Sequence, residues 1–158
     1  TVYANQVCKD GMNMNFALGE VDAITGQATF KFARNDTLQD TLQQYVLTEE
    51  QLVATLFSNW TLLVADINSQ TIKYQKTIPK PDNLKTWNLT QTKDYFVIFY
   101  QTISDLKLAY EYILPIYKTN GTLKFTNGVS FYSYIAGLVK VESKLVVDLT
   151  RGQFFVAW

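Results

Sequence analysis

"LTEEQLVATLF", residues 47–57, decides how the chain is read. Thr48, Glu49, Glu50 and Gln51 have the form of a capping box, in which a hydroxyl and an amide side chain satisfy the free N–H groups that open a helix. Leu52, Val53, Leu56 and Phe57 follow at the spacing of one helical face, and upstream Leu38, Leu42, Tyr45 and Val46 keep the same period. A short helical insertion around residues 37–58, as two helices or one broken helix, is the expectation.

On either side the period drops to two. Met12, Met14, Phe16 and Leu18 share a face opposite Asn13 and Asn15, and Gly19 ends or bulges that strand. After a turn at Thr25-Gly26 the alternation resumes with Ala28, Phe30 and Phe32 inward, which makes a first hairpin. "WTLLVADI" and "TIKYQKTI" flank a turn at Asn68-Ser69 and make another. "PKPDN", residues 79–83, is proline-rich punctuation and reads as an exposed crossover between earlier and later sheet halves. "YFVIFY", residues 95–100, is apolar on both faces, as a buried central strand is. Residues 104–117 fit both periods; they are read as a strand, because Pro115 suits a strand edge better than a helix interior.

In "FTNGVSFYSYIAG", residues 125–137, Asn127-Gly128 reads as the two-residue loop of a hairpin. Val129, Phe131, Ser133 and Ile135 then form the core row, and Ser130, Tyr132 and Tyr134 the row that meets water, a second layer or a partner. Further turns at Asn120-Gly121, Gly137 and Arg151-Gly152 divide the C-terminal third into short strands. No repeat with a period of 20 to 50 residues is read. The fold class expected is mainly β, an antiparallel β-sandwich or partly open barrel with the helical insertion, in a single domain over residues 1–158.

Composition narrows the function. The net charge is zero and only Arg34 and Arg151 offer forked donors, so no nucleic acid partner is expected. Cys8 stands alone, which excludes an intrachain disulfide and a thiolate zinc site; it reads as an inert buried thiol, or as an interchain bridge in an oxidising compartment. "YFVIFY" and "SKLVVDL" are too short to cross a bilayer, and no transmembrane segment is expected.

The chain has no histidine, which removes the usual general base, the usual metal ligand and every Ser-His or Cys-His nucleophile. Glu20 with Asp22, and Asp36 with Asp40, could pair as catalytic carboxylates, but they read as turn-flanking and helix-opening acids. Lys107, Lys140 and Lys144 could donate to an isopeptide link and read instead as solvent-facing lysines. No catalytic residue, cofactor or metal is assigned, and the chain is expected not to be an enzyme. Asn35, Asn59, Asn88 and Asn120 each open an Asn-x-Thr acceptor pattern for N-glycosylation; Asn59 is the weakest of them, because Trp60 looks like a core anchor.

Charged residues make up 18% of the chain and aromatics 15%, so a small neutral domain exposes aromatic area that a partner covers. The first functional expectation is a non-enzymatic assembly subunit of an extracellular filament, pilus or virion, a homo-oligomer or homopolymer located outside the cell, at its surface or in a virion. Its subunit contacts are Tyr132, Tyr134, Phe154, Phe155 and Trp158, with the two terminal segments adding as strands. The second is a surface binding module, an adhesin, a carbohydrate reader or a holder of a small apolar ligand, with Trp87, Tyr110 and Tyr112 as contacts.

Overall fold

The computed structural model describes residues 2–10, 13–36, 42–135, 144–148, 151 and 153–157, with side chains for 21–27, 44–130, 151 and 153. Every regular element among them is a strand: β1 (Val2–Asp10), β2 (Asn13–Val21), β3 (Ala28–Asp36), β4 (Leu42–Leu47), β5 (Leu52–Phe57), β6 (Thr61–Asp66), β7 (Thr71–Thr77), β8 (Leu84–Gln91), β9 (Tyr95–Ile103), β10 (Leu108–Tyr117), β11 (Val129–Ile135), β12 (Lys144–Asp148) and β13 (Gln153–Ala157). Sequence neighbours pair antiparallel, giving two four-stranded meanders, β4-β5-β6-β7 and β8-β9-β10-β11, beside a three-stranded sheet β1-β2-β3 and a two-stranded sheet β12-β13. The chain is mainly β, as its alternating segments require. Gly19 sits at a bulge in the β2–β3 register, and "PKPDN" joins one four-stranded sheet to the next.

The helical insertion is not seen. Where residues 42–58 are described they form β4 and β5, and residues 37–41 lie outside the described set. The Thr48 hydroxyl does cap an N–H, but that of Leu52 (3.1 Å), while Thr48 N donates to Leu52 O (2.8 Å) and Gln51 N to Thr48 O (3.1 Å). With Gln51 at φ 62°, this is a three-residue hairpin loop closed by a left-handed residue. The same turn recurs at Ser104–Leu108, where the Ser104 hydroxyl accepts from Leu108 N (3.1 Å) and Lys107 has φ 59°.

The helical spacing of Leu52, Val53, Leu56 and Phe57 has a different cause. Ala54, Leu56, Leu62 and Val64 face one core cluster, and Val53, Phe57, Leu63 and Ala65 face a second one behind it. Both faces of β5 and β6 are dry, so polar residues do not mark a wet face and the period of two vanishes from the sequence. The first cluster continues across to Leu89, Phe96, Ile98, Tyr100, Leu114 and Ile116, so the two four-stranded sheets pack face to face. Beyond them, Val97, Ala109 and Glu111 on the far face of β9 and β10 are again 0–1% exposed. The Glu111 carboxylate on that face accepts from Gln101 Nε2 at 3.1 Å.

The sheets approach along β4 and β8. Gln44 Nε2 donates to Trp87 O (2.8 Å), Leu89 N donates to Gln44 Oε1, and Gln91 Nε2 donates to Leu47 O (2.7 Å). At the opposite edges, next to β7 and β11, the segment 118–128 fills the space between the layers. Tyr74 Oη of β7 donates to Lys118 O (3.0 Å), Leu123 packs on the shared core, and a Cβ on Gly121 (φ 72°) would lie 2.6 Å from the Tyr74 ring. Pro115 is buried inside β10, contrary to an edge position. Its carbonyl faces Lys124 N (2.9 Å) beyond the end of the β11 pairing, so the missing N–H costs no ladder bond.

One hairpin is used repeatedly. Asp22 Oδ1 accepts from Ile24 N (2.8 Å) and Thr25 N (3.2 Å), with Gly26 at φ 70°. Asp66 Oδ1 accepts from Asn68 N (2.9 Å) and Ser69 N (3.1 Å), with Gln70 at φ 55° and Asp66 paired to Thr71. Asp148 is likewise paired to the fifth residue on, Gln153.

The Asp66 carboxyl is held below its ordinary value of 3.8, first by the Ser69 N–H, with the Lys73 ammonium (3.3 Å) and the Asn68 N–H adding. A depressed folded pKa stabilises the fold above the unfolded pKa and ceases to do so as pH falls through the folded one. Asp66→Asn keeps the acceptor and removes the charge. Its urea midpoint is expected to lie below the parent's at pH 7, and the gap to close on acidification below 3.8; a gap independent of pH would assign the effect to geometry alone.

Candidate functional site

An aromatic recess lies where the connection 78–83 passes over β9 and β10. It is a cleft of about 330 Å3 lined by Pro79, Lys80, Pro81 and Asp82 on one side, and by Tyr100, Thr102, Tyr112, Leu114, Thr126 and Asn127 on the other. Strand register creates its floor. Tyr100 and Tyr112 are directly opposed on β9 and β10, and their rings stack at 4.9 Å and 6°. Trp60 holds the Tyr100 ring edge-on at 5.3 Å, and the Tyr100 hydroxyl donates to Asn127 O at 2.7 Å.

Burial, with Tyr112 adding, pushes the Tyr100 phenol up to about 12, so it stays a neutral donor. Lys80 Nζ is engaged by Ser58 O (3.1 Å) and lies 6.0 Å from the Trp87 ring centroid. The arrangement offers aromatic and pyrrolidine surface, hydroxyls, one amide and one free-standing carboxylate on Asp82. It contains no paired carboxylates and no nucleophile with a base.

Of the contacts expected from sequence, Tyr112 lines this cleft, Tyr110 lies beside it (6.4 Å to Tyr112), and Trp87 packs on the core behind Lys80. Tyr100, Thr126, Asn127 and Asp82 are missed. A signal for Tyr100 exists: it is the hydroxyl-bearing member of the otherwise apolar row Phe96, Ile98, Tyr100.

A second recess of about 470 Å3 lies near Leu52, Tyr95, Tyr117 and Lys118. It is a clamp between sheets more than a receptor. Lys118 Nζ donates to Gln91 Oε1 (2.8 Å), the side chain that also bonds β4, and burial lowers the Lys118 pKa against the opposing pull of Glu50 and Asp94.

The other expected site residues are scattered. Asn59, Asn88 and Asn120 are exposed. Asn59 Oδ1 accepts from Thr61 N (2.9 Å), with Trp60 and Thr61 0% and 4% exposed. Asn120 Oδ1 accepts from both the N–H (3.0 Å) and the hydroxyl (2.7 Å) of Thr122, in a turn that Gly121 N closes by donating to Tyr117 O (2.8 Å). Asn35 lies in β3 opposite Asn15, and its side chain is outside the described set. Trp158, Lys140, Gly137 and Asp40 lie outside the described residues, as do the side chains of Cys8, Glu20, Asp36, Lys144, Phe154 and Phe155. Asp36 closes β3, and the residues after it lie outside the described set; Asp22 organises its turn; Lys107 is exposed in one.

Asn127-Gly128 is not a two-residue hairpin loop. β11 pairs with β10 across the longer 118–128 connection, and a bulge at the Glu111/Tyr112 step moves the register. Val129 therefore falls opposite Ile113, Tyr132 opposite Glu111 and Tyr134 opposite Ala109, so the row read as Val129, Phe131, Ser133 and Ile135 is broken at Phe131. The side chains of Tyr132 and Tyr134 are outside the described set. Among the described residues no group of three or more His, Cys, Asp or Glu could hold a metal, and no helix is long and apolar enough to cross a membrane.

No family model matches the chain, and no curated protein matches its sequence. Among solved structures it is similar to BamB from Moraxella catarrhalis, with 15% identity and a TM-score of 0.45 over 92% of this chain and 49% of that one. It is also similar to the fission yeast SREBP-SCAP binding domains (13%, TM-score 0.39, 96% and 44%) and to the WD40 domain of SCAP from fission yeast (12%, 0.39, 98% and 41%). The chain spans about half the length of these structures or less.

Proposed function

We propose that the chain is a non-catalytic binding module, a stack of four-stranded β-sheets of propeller-blade type that presents the cleft under residues 79–82 to a small ligand. A two-layer sandwich leaves one face of each sheet wet, whereas β5 and β6 are dry on both faces, as in a stack of at least three layers. Close approach at β4 and β8 with a filled gap near β7 gives adjacent sheets the wedge of neighbouring blades. The observation that carries the binding reading is the preformed Tyr100–Tyr112 floor: three independent contacts fix Tyr100 before any ligand arrives. The test is a small-molecule screen by amide chemical-shift mapping. Saturable shifts grouped on residues 80, 82, 102, 112 and 126–127, the lining positions that carry an amide N–H, are expected, and shifts scattered over the surface would overturn the reading.

The assembly reading, an extracellular filament, pilus or virion subunit, keeps one supporting observation. Among the described residues β12 and β13 pair only with each other, and a two-stranded sheet is marginal in water, so a strand from another copy could extend it. Removal of residues 153–158 is then expected to abolish association in sedimentation while the two four-stranded sheets stay folded; global unfolding would reject it. An extracellular location would make Asn120, exposed in a turn outside the strands, the foremost glycan acceptor of the four.

A further inference from the structure

We infer that the cleft between Pro79–Asp82 and the Tyr100–Tyr112 pair takes a neutral pyranose ring, an inference that rests on the binding-module reading above. Its volume of about 330 Å3 lies at the floor of the range for small-molecule sites, which suits one ring and not a drug-sized or dinucleotide ligand. A sugar ring has an apolar C–H face and a rim of hydroxyls, and the cleft is divided the same way. Tyr112 and the pyrrolidines of Pro79 and Pro81 supply apolar surface, while Thr102, Thr126, Asn127 and Asp82 supply donors and acceptors around it.

Charge and shape exclude the competing classes. Asp82 and Lys80 carry opposite charges, and Lys80 already serves Ser58 O, so a phosphate would find no free cation cluster. A quaternary ammonium needs ring faces on several sides. Here Tyr100 is 3% exposed and covers one face of Tyr112, which leaves a single platform. One platform and a polar rim are enough for a sugar.

The experiment is a titration of the whole chain, followed by amide shifts, with methyl β-glucopyranoside, methyl α-mannopyranoside, tetramethylammonium chloride and inorganic phosphate. At least one methyl hexoside is expected to saturate at millimolar concentration with shifts confined to the cleft. Asp82→Ala, at an exposed position, is expected to keep the parent melting temperature and to weaken that binding by about 10-fold, the loss of one hydrogen bond to a charged acceptor. Tyr112→Leu retains apolar volume and is expected to weaken it by about 5-fold through loss of the ring. Cleft shifts from tetramethylammonium or phosphate without either hexoside would overturn the sugar assignment and leave the binding module standing. Silence of all four probes would overturn the sugar assignment, and silence of the wider screen as well would remove the module.

Discussion

Trp60→Ala is expected to lower the free energy of unfolding by about 3–5 kcal/mol, the usual range for truncating a buried large aromatic. Trp60 is 0% exposed, packs edge-on against Tyr100 at 5.3 Å, and lies among Leu56, Leu62, Ile98 and Leu114 in the core shared by both four-stranded sheets. Its backbone is equally committed. Trp60 has φ 62°, its N–H donates to Phe57 O (2.9 Å), and its carbonyl accepts from Ile78 N (2.9 Å), so it closes the β5–β6 hairpin and anchors the chain leaving β7.

Alanine would inherit the left-handed strain without the packing. The indole N–H is buried without a partner among the described residues, so its removal returns a small part of the loss. The urea midpoint is the measurement, with an unchanged m-value expected if the native state only loses its core anchor. Against a total of about 5–15 kcal/mol for an ordinary domain, the loss approaches the limit of folding. A change below about 1 kcal/mol would mean that the two sheets do not share the core described above. The Tyr100 ring would also lose its brace, so cleft shifts in the ligand screen should weaken in step with stability.

Gly128→Ala is the second substitution with a large expected effect, about 2–3 kcal/mol. At φ 75° any Cβ meets the left-handed penalty of about 1–2 kcal/mol. The new methyl would also lie 2.9 Å from Tyr100 Oη and 3.0 Å from the Ile113 carbonyl, and the latter is fixed within the β10–β11 pairing. Overpacking of this kind adds about 1 kcal/mol or more. Tyr100 must move, and its bond to Asn127 O is the contact that yields. Thermal unfolding measures the stability loss, and the Tyr112 amide shift reports whether the stacked floor has tilted. A neutral result in both would show that residues 126–128 do not constrain the cleft.

Much of the strand layout is legible in the sequence. The alternation before Gly19, the Thr25-Gly26 and Asn68-Ser69 turns, the crossover at 79–83 and the doubly apolar "YFVIFY" all correspond to observed features, because each is a local pattern with a local physical cause. The misreadings share another cause. "LTEEQLVATLF" fits a capped helix because a Thr hydroxyl caps a three-residue hairpin with the same atoms, and because burial on both faces erases alternation. Asn127-Gly128 has the composition of a tight hairpin, but its positive φ serves the end of a long connection. Tyr132 and Tyr134 change partners through a bulge that nothing in their own stretch announces.

The candidate cleft divides the same way. Tyr112 and the proline segment are visible as aromatic and turn residues, but Tyr100 and Asn127 join them only through pairing across β9 and β10 and through the fold of residues 118–128. The sequence by itself determined that the chain is β-rich, where many of its turns fall, and that histidine chemistry is closed to it, since backbone propensity and side-chain inventory are local properties. Only the tertiary structure decided that β5 and β6 are dry on both faces and that two tyrosines stack over a proline-walled recess. Register and layer contacts arise between segments that carry no mark of one another along the chain.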